Sequence, residues 1–104
     1  MNAKIKRLWV IKALRSGKYR QAKEILRNRS GSMCCLGVLC EIQGADWREL
    51  NDNGQSLYTS TIPRQFNAGL RKEQRGKLAN MNDGNCGFKR HTFSEIADYI
   101  AKNL

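Results

Sequence analysis

The most apolar stretch of the chain is residues 33–43, MCCLGVLCEIQ, and it limits the folds that the chain can adopt. At helical spacing its apolar side chains cover most of the circumference, which predicts a central helix that is buried on several sides. A glycine in a helix interior costs up to about 1 kcal/mol relative to alanine, so Gly37 predicts a close backbone approach. Gly44 is expected to end the helix. A buried strand is the alternative for so short an apolar run.

Two further helices are predicted near the ends of the chain. Residues 2–16 carry apolar side chains almost all the way round, so this helix is expected to contact the core and a second subunit. Residues 93–103 place their apolar side chains on one face, and Thr92 with Glu95 three residues later predicts a capping box.

The segments between these helices predict shorter elements. Residues 20–29 are expected to form a second helix that buries Ala22, Ile25 and Leu26. Pro63 is expected to open a helix that runs through Leu70.

A small β component is also predicted. Residues 55–61 alternate in part and follow the turn signal Asn53-Gly54, and they are expected to pair with residues 77–81. Asn82, Asp83 and Gly84 are expected to form the turn of the following loop. The predicted fold class is therefore α+β, a mainly helical small single domain over residues 1–104 with a short β-hairpin.

The basic charge is concentrated in two blocks. Nineteen Lys and Arg face nine Asp and Glu, which gives a formal net charge of +10. Residues 1–30 hold ten basic side chains and one acidic one, and residues 71–90 hold six and two. Patches of one sign repel each other unless an anionic partner offsets them, and phosphate is the usual partner. A solubilising basic surface is the alternative.

The four cysteines and the single histidine are the candidates for metal binding or covalent chemistry. Cys35, Cys40, Cys86 and His91 could form a Cys3His zinc site, but the usual spacing of two residues between ligands is absent. A catalytic pair of Cys86 and His91 is the other alternative. Since three cysteines lie in the apolar segment, we expect buried thiols, no disulfide framework, no cofactor and no enzymatic activity.

Anion binding is the better-supported chemistry. Arg15, Lys23 and Arg27 lie near Tyr19, and arginine forks bind phosphate while aromatic faces stack bases. Gln21 and Asn82 carry amides that can read base edges or ribose hydroxyls. A solvated basic face with core aromatic residues is the alternative. No helix-turn-helix, zinc-finger, RNA-recognition, P-loop or Rossmann motif is present.

Four segments carry a resemblance to known proteins. They are residues 9–21 (WVIKALRSGKYRQ), 34–40 (CCLGVLC), 78–83 (LANMND) and 93–100 (FSEIADYI). In these segments the chain resembles a widespread set of small phage and prophage proteins, and it is also similar to phage sponge proteins that sequester the cyclic-nucleotide signals of bacterial CBASS immunity. The resemblance implies a non-catalytic homo-oligomer that binds cyclic di- or trinucleotides between subunits, in the cytoplasm of the host.

Positions 15–27 and 82–83 join the matched segments to the charge chemistry. The candidate ligand-binding residues are therefore Arg15, Tyr19, Gln21, Lys23, Arg27, Asn82 and Asp83. Basic residues interrupt any secretory signal, and no apolar run reaches transmembrane length, so no membrane partner is expected. Two other functions stay open: a basic phage protein that binds nucleic acid, and an inhibitor that docks on an acidic host protein.

Overall fold

A computed structural model describes residues 1–50 and 62–104 of the chain. Within these ranges the chain is helical and contains no strand. Met33 forms isolated bridges with Gln21 and Arg27, and these do not extend into a sheet. The helical elements are α1 (Ala3–Arg7), a π-helical segment (Leu8–Leu14), α2 (Cys35–Ile42), α3 (Trp47–Leu50), a 3-10 turn (Arg64–Phe66), α4 (Lys72–Asp83) and α5 (Phe93–Asn103).

Helix α2 is the central buried helix that the apolar run predicted. Its residues from Cys35 to Cys40 are all buried. The π-helical segment and α4 both pack on α2, and α5 packs on the π-helical segment and α4. Gly44 follows the helix with a φ of +81°, as expected for a glycine that ends a helix.

The first predicted helix is confirmed, over a shorter range than residues 2–16. Asn2 caps it, since its side-chain oxygen accepts from the backbone N–H groups of Lys4 and Ile5. The second part has π-helical geometry, and the N–H of Arg15 donates to Val10 O, five residues earlier, at 3.1 Å. The indole of Trp9 donates to the backbone carbonyl of Cys35 at 3.0 Å and ties this segment to α2.

The helix predicted over residues 20–29 is absent, and the segment is an extended loop. Ala22 N–H donates to Met33 O at 2.7 Å, and Met33 N–H donates to Arg20 O at 2.9 Å. Glu24 has a φ of +64°, which a helix does not allow. Ala22 and Leu26 are buried as predicted, whereas Ile25 is only half-buried. The prediction failed because tertiary partners satisfy backbone groups that a helix would have paired locally.

The loop crosses α2 at Gly37, where the predicted close approach is confirmed. A Cβ at position 37 would lie 1.8 Å from Leu26 O and 3.1 Å from the Cβ of Met33. Only a glycine leaves room for this crossing, because real Cβ atoms do not approach other heavy atoms so closely.

The predicted β-hairpin is wrong. Residues 77–81 belong to helix α4, in which Leu78, Ala79 and Met81 are buried. The other predicted strand of the hairpin, residues 55–61, lies outside the described residues. A five-residue segment is too short to distinguish the period of a strand from that of a helix, and here it lies inside the 12-residue helix α4. In the described ranges the fold is therefore helical rather than α+β.

Two other local predictions are corrected. Asn82 and Asp83 are the last residues of α4 rather than parts of a turn, and Gly84 ends the helix in the left-handed conformation at φ +75°. The helix expected from Pro63 to Leu70 is reduced to the 3-10 turn.

Helix α5 agrees with its prediction, including the capping box. Thr92 Oγ1 accepts from Glu95 N–H at 3.2 Å, and the Glu95 carboxylate accepts from Thr92 N–H at 2.9 Å. Its buried face consists of Phe93, Ile96, Ala97 and Ile100. No described helix combines the length and the apolar character needed to cross a bilayer.

Candidate phosphate-binding site

A buried asparagine joins the loop of residues 20–34 to two helices. The Asn82 side chain is fully buried. Its oxygen accepts from Gln21 Nε2 at 2.9 Å and from Cys35 N–H at 3.1 Å. Its nitrogen donates to Ala22 O and to the Asp83 carboxylate, both at 2.8 Å. The amide is fully satisfied and shielded from solvent, so Asn82 positions its neighbours rather than facing a ligand.

Asp83 holds the irregular part of the same loop. Its carboxylate is 5% exposed, and one oxygen accepts from Glu24 N–H at 2.8 Å as well as from Asn82. Glu24 is the loop residue with positive φ, a conformation that is unfavourable for a residue with a Cβ. The hydrogen bond from a backbone N–H to a charged acceptor offsets this strain.

An open recess lies beside this network. It has a volume of about 330 Å³ and is lined by Gln21, Arg90, His91 and Thr92. Gln21 is fixed as one wall, because its Nε2 also donates to His91 O at 2.8 Å. His91 N–H donates to Met81 O at 2.7 Å, and this bond fixes the wall of the recess at His91 to α4.

The ring of His91 has an unsatisfied nitrogen. Nδ1 is shielded from solvent and makes no hydrogen bond within the described part of the chain. Such atoms are rare in folded proteins, because a polar atom that is removed from water without a partner costs about 1–3 kcal/mol. The His91 ring therefore keeps one buried nitrogen that no described residue pairs.

Arg90 presents a guanidinium that is fixed at one end. Its Nε donates to Asn82 O, at the end of α4, at 3.2 Å. Its two terminal nitrogens make no hydrogen bond or ion pair with any described residue. Gly84 makes this position possible, because a Cβ there would lie 3.1 Å from the Cβ of Arg90. An arginine held through Nε offers its remaining N–H groups as a fork, which is the geometry that binds phosphate.

The structure brings together three of the seven residues predicted from the sequence: Gln21, Asn82 and Asp83. Lys23 is exposed on the same loop. Arg15 is paired with Asp98 at 2.7 Å, and Tyr19 is half-buried against the core. The guanidinium of Arg27 lies 5.9 Å from the ring centre of Trp47. These last three residues are thus occupied by contacts outside the recess.

Arg90, His91 and Thr92 line the recess and were missed as ligand-binding residues. The signal available in the sequence was a basic pair, Lys89-Arg90, that is separated from the capping box at Thr92 by His91 alone. The sequence predicts only a loop for this segment and does not indicate that the loop folds back onto the end of α4.

The residues considered for zinc do not converge. In the described ranges, no three Cys, His, Asp or Glu side chains are placed to hold a metal ion. Cys35 and Cys40 are buried in α2, whereas Cys86 is exposed. Burial raises the pKa of the Cys35 thiol well above its usual value and raises the pKa of Cys40 to about 12. Because the protonated thiol is a poor nucleophile, these two cysteines do not suit nucleophilic attack.

Most of the basic charge is not neutralised by the chain's own carboxylates. All nineteen Lys and Arg lie in the described ranges, and there the pair Arg15–Asp98 is the one ion pair. Surface cations without paired carboxylates create a positive potential that attracts anions.

Comparison with known proteins identifies a family for the chain. No curated protein and no solved structure is significantly similar to the chain. A family model described as a domain of unknown function, DUF8296, matches residues 1–61. This range includes α1, the π-helical segment, the loop of residues 20–34 and α2, so it contains Gln21 but neither Asn82 nor Arg90. Because the match spans more than half of its length, the chain belongs to the DUF8296 family.

Proposed function

We propose that the chain is a non-catalytic phage protein that binds phosphate-bearing nucleotides in the host cytoplasm. Its ligands would be the cyclic nucleotides that bacterial anti-phage defence uses as signals, and the protein would act as a sponge in immune evasion. The support from sequence is the resemblance to such sponge proteins. Sequestration requires affinity and no chemistry, which agrees with protonated, buried thiols at Cys35 and Cys40.

The observation that carries the proposal is the anchored guanidinium of Arg90 at the mouth of the recess. A phosphate there would accept two hydrogen bonds from the free end of the fork. The exposed residues Arg20, Lys23 and Lys89 lie within two positions of a lining residue in the sequence and add positive charge.

The size of the recess bears on how many copies of the chain bind one ligand. Its volume of about 330 Å³ is at the lower end of the range of roughly 300–1,000 Å³ for small-molecule sites. One nucleotide unit suits this volume better than a complete cyclic di- or trinucleotide. We propose that a second copy of the chain covers the remainder, which makes the binding form a homo-oligomer.

Calorimetric titration with a panel of cyclic di- and trinucleotides and their linear counterparts tests the proposal. We expect Arg90→Ala to weaken binding by about 10- to 100-fold, because a hydrogen bond to a charged group is worth about 1.5–3 kcal/mol. Arg90→Lys keeps the charge but loses the fork. Its nucleotide affinity should therefore lie between that of the wild-type chain and that of Arg90→Ala. Lys102→Ala removes the same charge from the far end of α5 and should change affinity less than about threefold.

Two results would contradict the proposal. One is the absence of binding to every nucleotide in the panel. The other is an equal loss in Arg90→Ala and Lys102→Ala, since a general electrostatic attraction does not depend on the recess.

A nucleic-acid polymer is the second candidate ligand. The observation that favours it is the spread of exposed cations beyond the recess, including Lys4, Lys12, Lys18 and Arg29. A polymer ligand predicts a steep fall of affinity with salt, since each phosphate contact releases a counterion. Titration of a labelled oligonucleotide across salt concentrations distinguishes the two functions, because a recess for one nucleotide unit gives a shallow slope.

A further inference from the structure

A second recess lies between the first helix and α5. It has a volume of about 210 Å³. Its apolar part is formed by Ala3, Val10, Ile11 and Ala101. Alanine at positions 3 and 101 leaves the space open, since neither side chain extends beyond Cβ. Ile11 is 48% exposed, and Leu8 on the same helix is 37% exposed, so apolar surface faces solvent here.

Cationic side chains border this apolar recess. They are Lys6, Arg7 and Arg15. Arg15 is paired with Asp98 at 2.7 Å, and the ammonium of Lys6 donates to Ala101 O at 3.4 Å. Arg7 makes no ion pair and no side-chain hydrogen bond with any described residue. The border therefore keeps a net positive charge.

We propose that this recess, which we call the α1–α5 groove, binds a segment of another protein that carries one bulky apolar side chain flanked by carboxylates. The volume fits one large side chain, and anchor residues of protein interfaces occupy pockets of this kind. A carboxylate on one side of the anchor complements Arg7. A carboxylate on the other side can replace Asp98, whose side chain is 72% exposed, as the partner of Arg15 eight positions away. An amphipathic acidic helix meets both requirements, with its anchor in the groove and its acids on the border.

Charge and shape favour an acidic peptide segment over a second copy of the chain, a nucleic acid or a membrane surface. A second copy of the chain would bring its own Lys6 and Arg7 towards the same cations, and like charges oppose that contact. A nucleic acid would complement the charge but has no use for the exposed Ile11. A membrane surface would complement both but cannot fill a concave recess as a single side chain does.

The test uses a displayed library of helical peptides with randomised surface positions and the full-length chain as the target. We expect the enriched peptides to share a large apolar residue with Asp or Glu on both sides. Synthetic versions of these peptides then give affinities by fluorescence anisotropy with the wild-type chain and with variants of the groove.

Three substitutions separate the contribution of the apolar groove to peptide affinity from that of the charges on its border. Ala101→Leu fills the groove at an exposed helical position where leucine is well tolerated, and we expect at least a tenfold loss of peptide affinity. Arg7→Glu reverses a charge on the border and should cost about tenfold. Lys12→Glu makes the same change in net charge on the same helix, outside the groove, and should cost less than about threefold.

Several outcomes would overturn the proposal. These are a library without enrichment, enriched peptides that lack the anchor or the acids, and affinities that Ala101→Leu leaves unchanged. The same holds if Arg7→Glu and Lys12→Glu weaken binding equally. Association into dimers that Ala101→Leu abolishes, or Ala101→Leu-sensitive binding to duplex DNA or phosphatidylglycerol vesicles, would assign the groove to another occupant. Nucleotide affinity should be the same in Ala101→Leu and the wild-type chain, so this test is independent of the proposed nucleotide site.

Discussion

The side-chain amide of Gln21 donates to the side-chain oxygen of Asn82 at 2.9 Å, across 61 positions of the sequence. Through this bond a loop residue that lines the recess is fixed by a residue in the core. The same Asn82 contacts the first turn of α2 through Cys35 N–H, and its own backbone carbonyl accepts from Arg90. The geometry of the candidate site therefore depends on one buried amide.

Asn82→Asp should destabilise the protein strongly. The new carboxylate lacks the two N–H donors of the Asn82 amide. It places an oxygen opposite Ala22 O and the Asp83 carboxylate, which accept from that amide in the wild-type chain. Removing buried hydrogen bonds and burying an unpaired charge together cost about 3 kcal/mol or more. Chemical denaturation measures this loss as a lower midpoint. Asn85→Asp is the matched control in the following loop, and a comparable loss there would show that the network has no special weight.

Two glycine-to-alanine substitutions should have opposite effects. At Gly37 the new Cβ meets the backbone carbonyl of Leu26, which cannot move cheaply, so we expect a loss of about 2–3 kcal/mol. Gly76 lies in α4, and a Cβ there meets no atom within 4 Å. Gly76→Ala should therefore stabilise the protein by up to about 1 kcal/mol. Thermal and chemical unfolding measure the change in unfolding free energy of each variant. Changes of equal sign and size in the two variants would contradict the close crossing at Gly37.

The capping box of α5 predicts a dependence of stability on pH. The hydrogen bond from Thr92 N–H to its carboxylate lowers the pKa of Glu95. A carboxylate with a lowered pKa in the folded state contributes stability above its unfolded pKa of about 4.3 and loses that stability as pH falls through the folded value.

The Glu95→Gln variant measures this contribution. Its unfolding midpoint should lie below that of the wild-type chain near pH 7, and the gap should close as pH falls below about 4. Glu73→Gln removes an exposed carboxylate from the first turn of α4 and serves as control. A gap that stays constant over this range would mean that the charge of Glu95 does not stabilise α5.

The thiols should differ in reactivity. Cys35 and Cys40 are buried, and burial raises the pKa of both, whereas Cys86 is exposed. Since the thiolate is the reactive form, iodoacetamide should label Cys86 in the native protein and reach Cys35 and Cys40 only after unfolding. Peptide mass spectrometry of a labelling time course measures the rates. Rapid native labelling of Cys35 would contradict its place in the core.

The sequence anticipated some members of the candidate site. Gln21, Asn82 and Asp83 do meet, but as a buried network, because their amide and carboxylate groups pair with loop backbone rather than with solvent. Arg90 was overlooked because its role comes from the contact with Asn82 O, and no local pattern in the sequence indicates that contact.

By itself the sequence determined the elements whose signals are local. The apolar run around Gly37 determined the buried helix, and the period and capping box of residues 92–103 determined α5, because both depend on neighbours within one or two turns. Only the tertiary structure decided that residues 20–34 form a loop and that residues 77–81 are helical. In those segments distant partners such as Met33 and Asn82 supply the hydrogen bonds, and buried tertiary contacts outweigh weak local propensity.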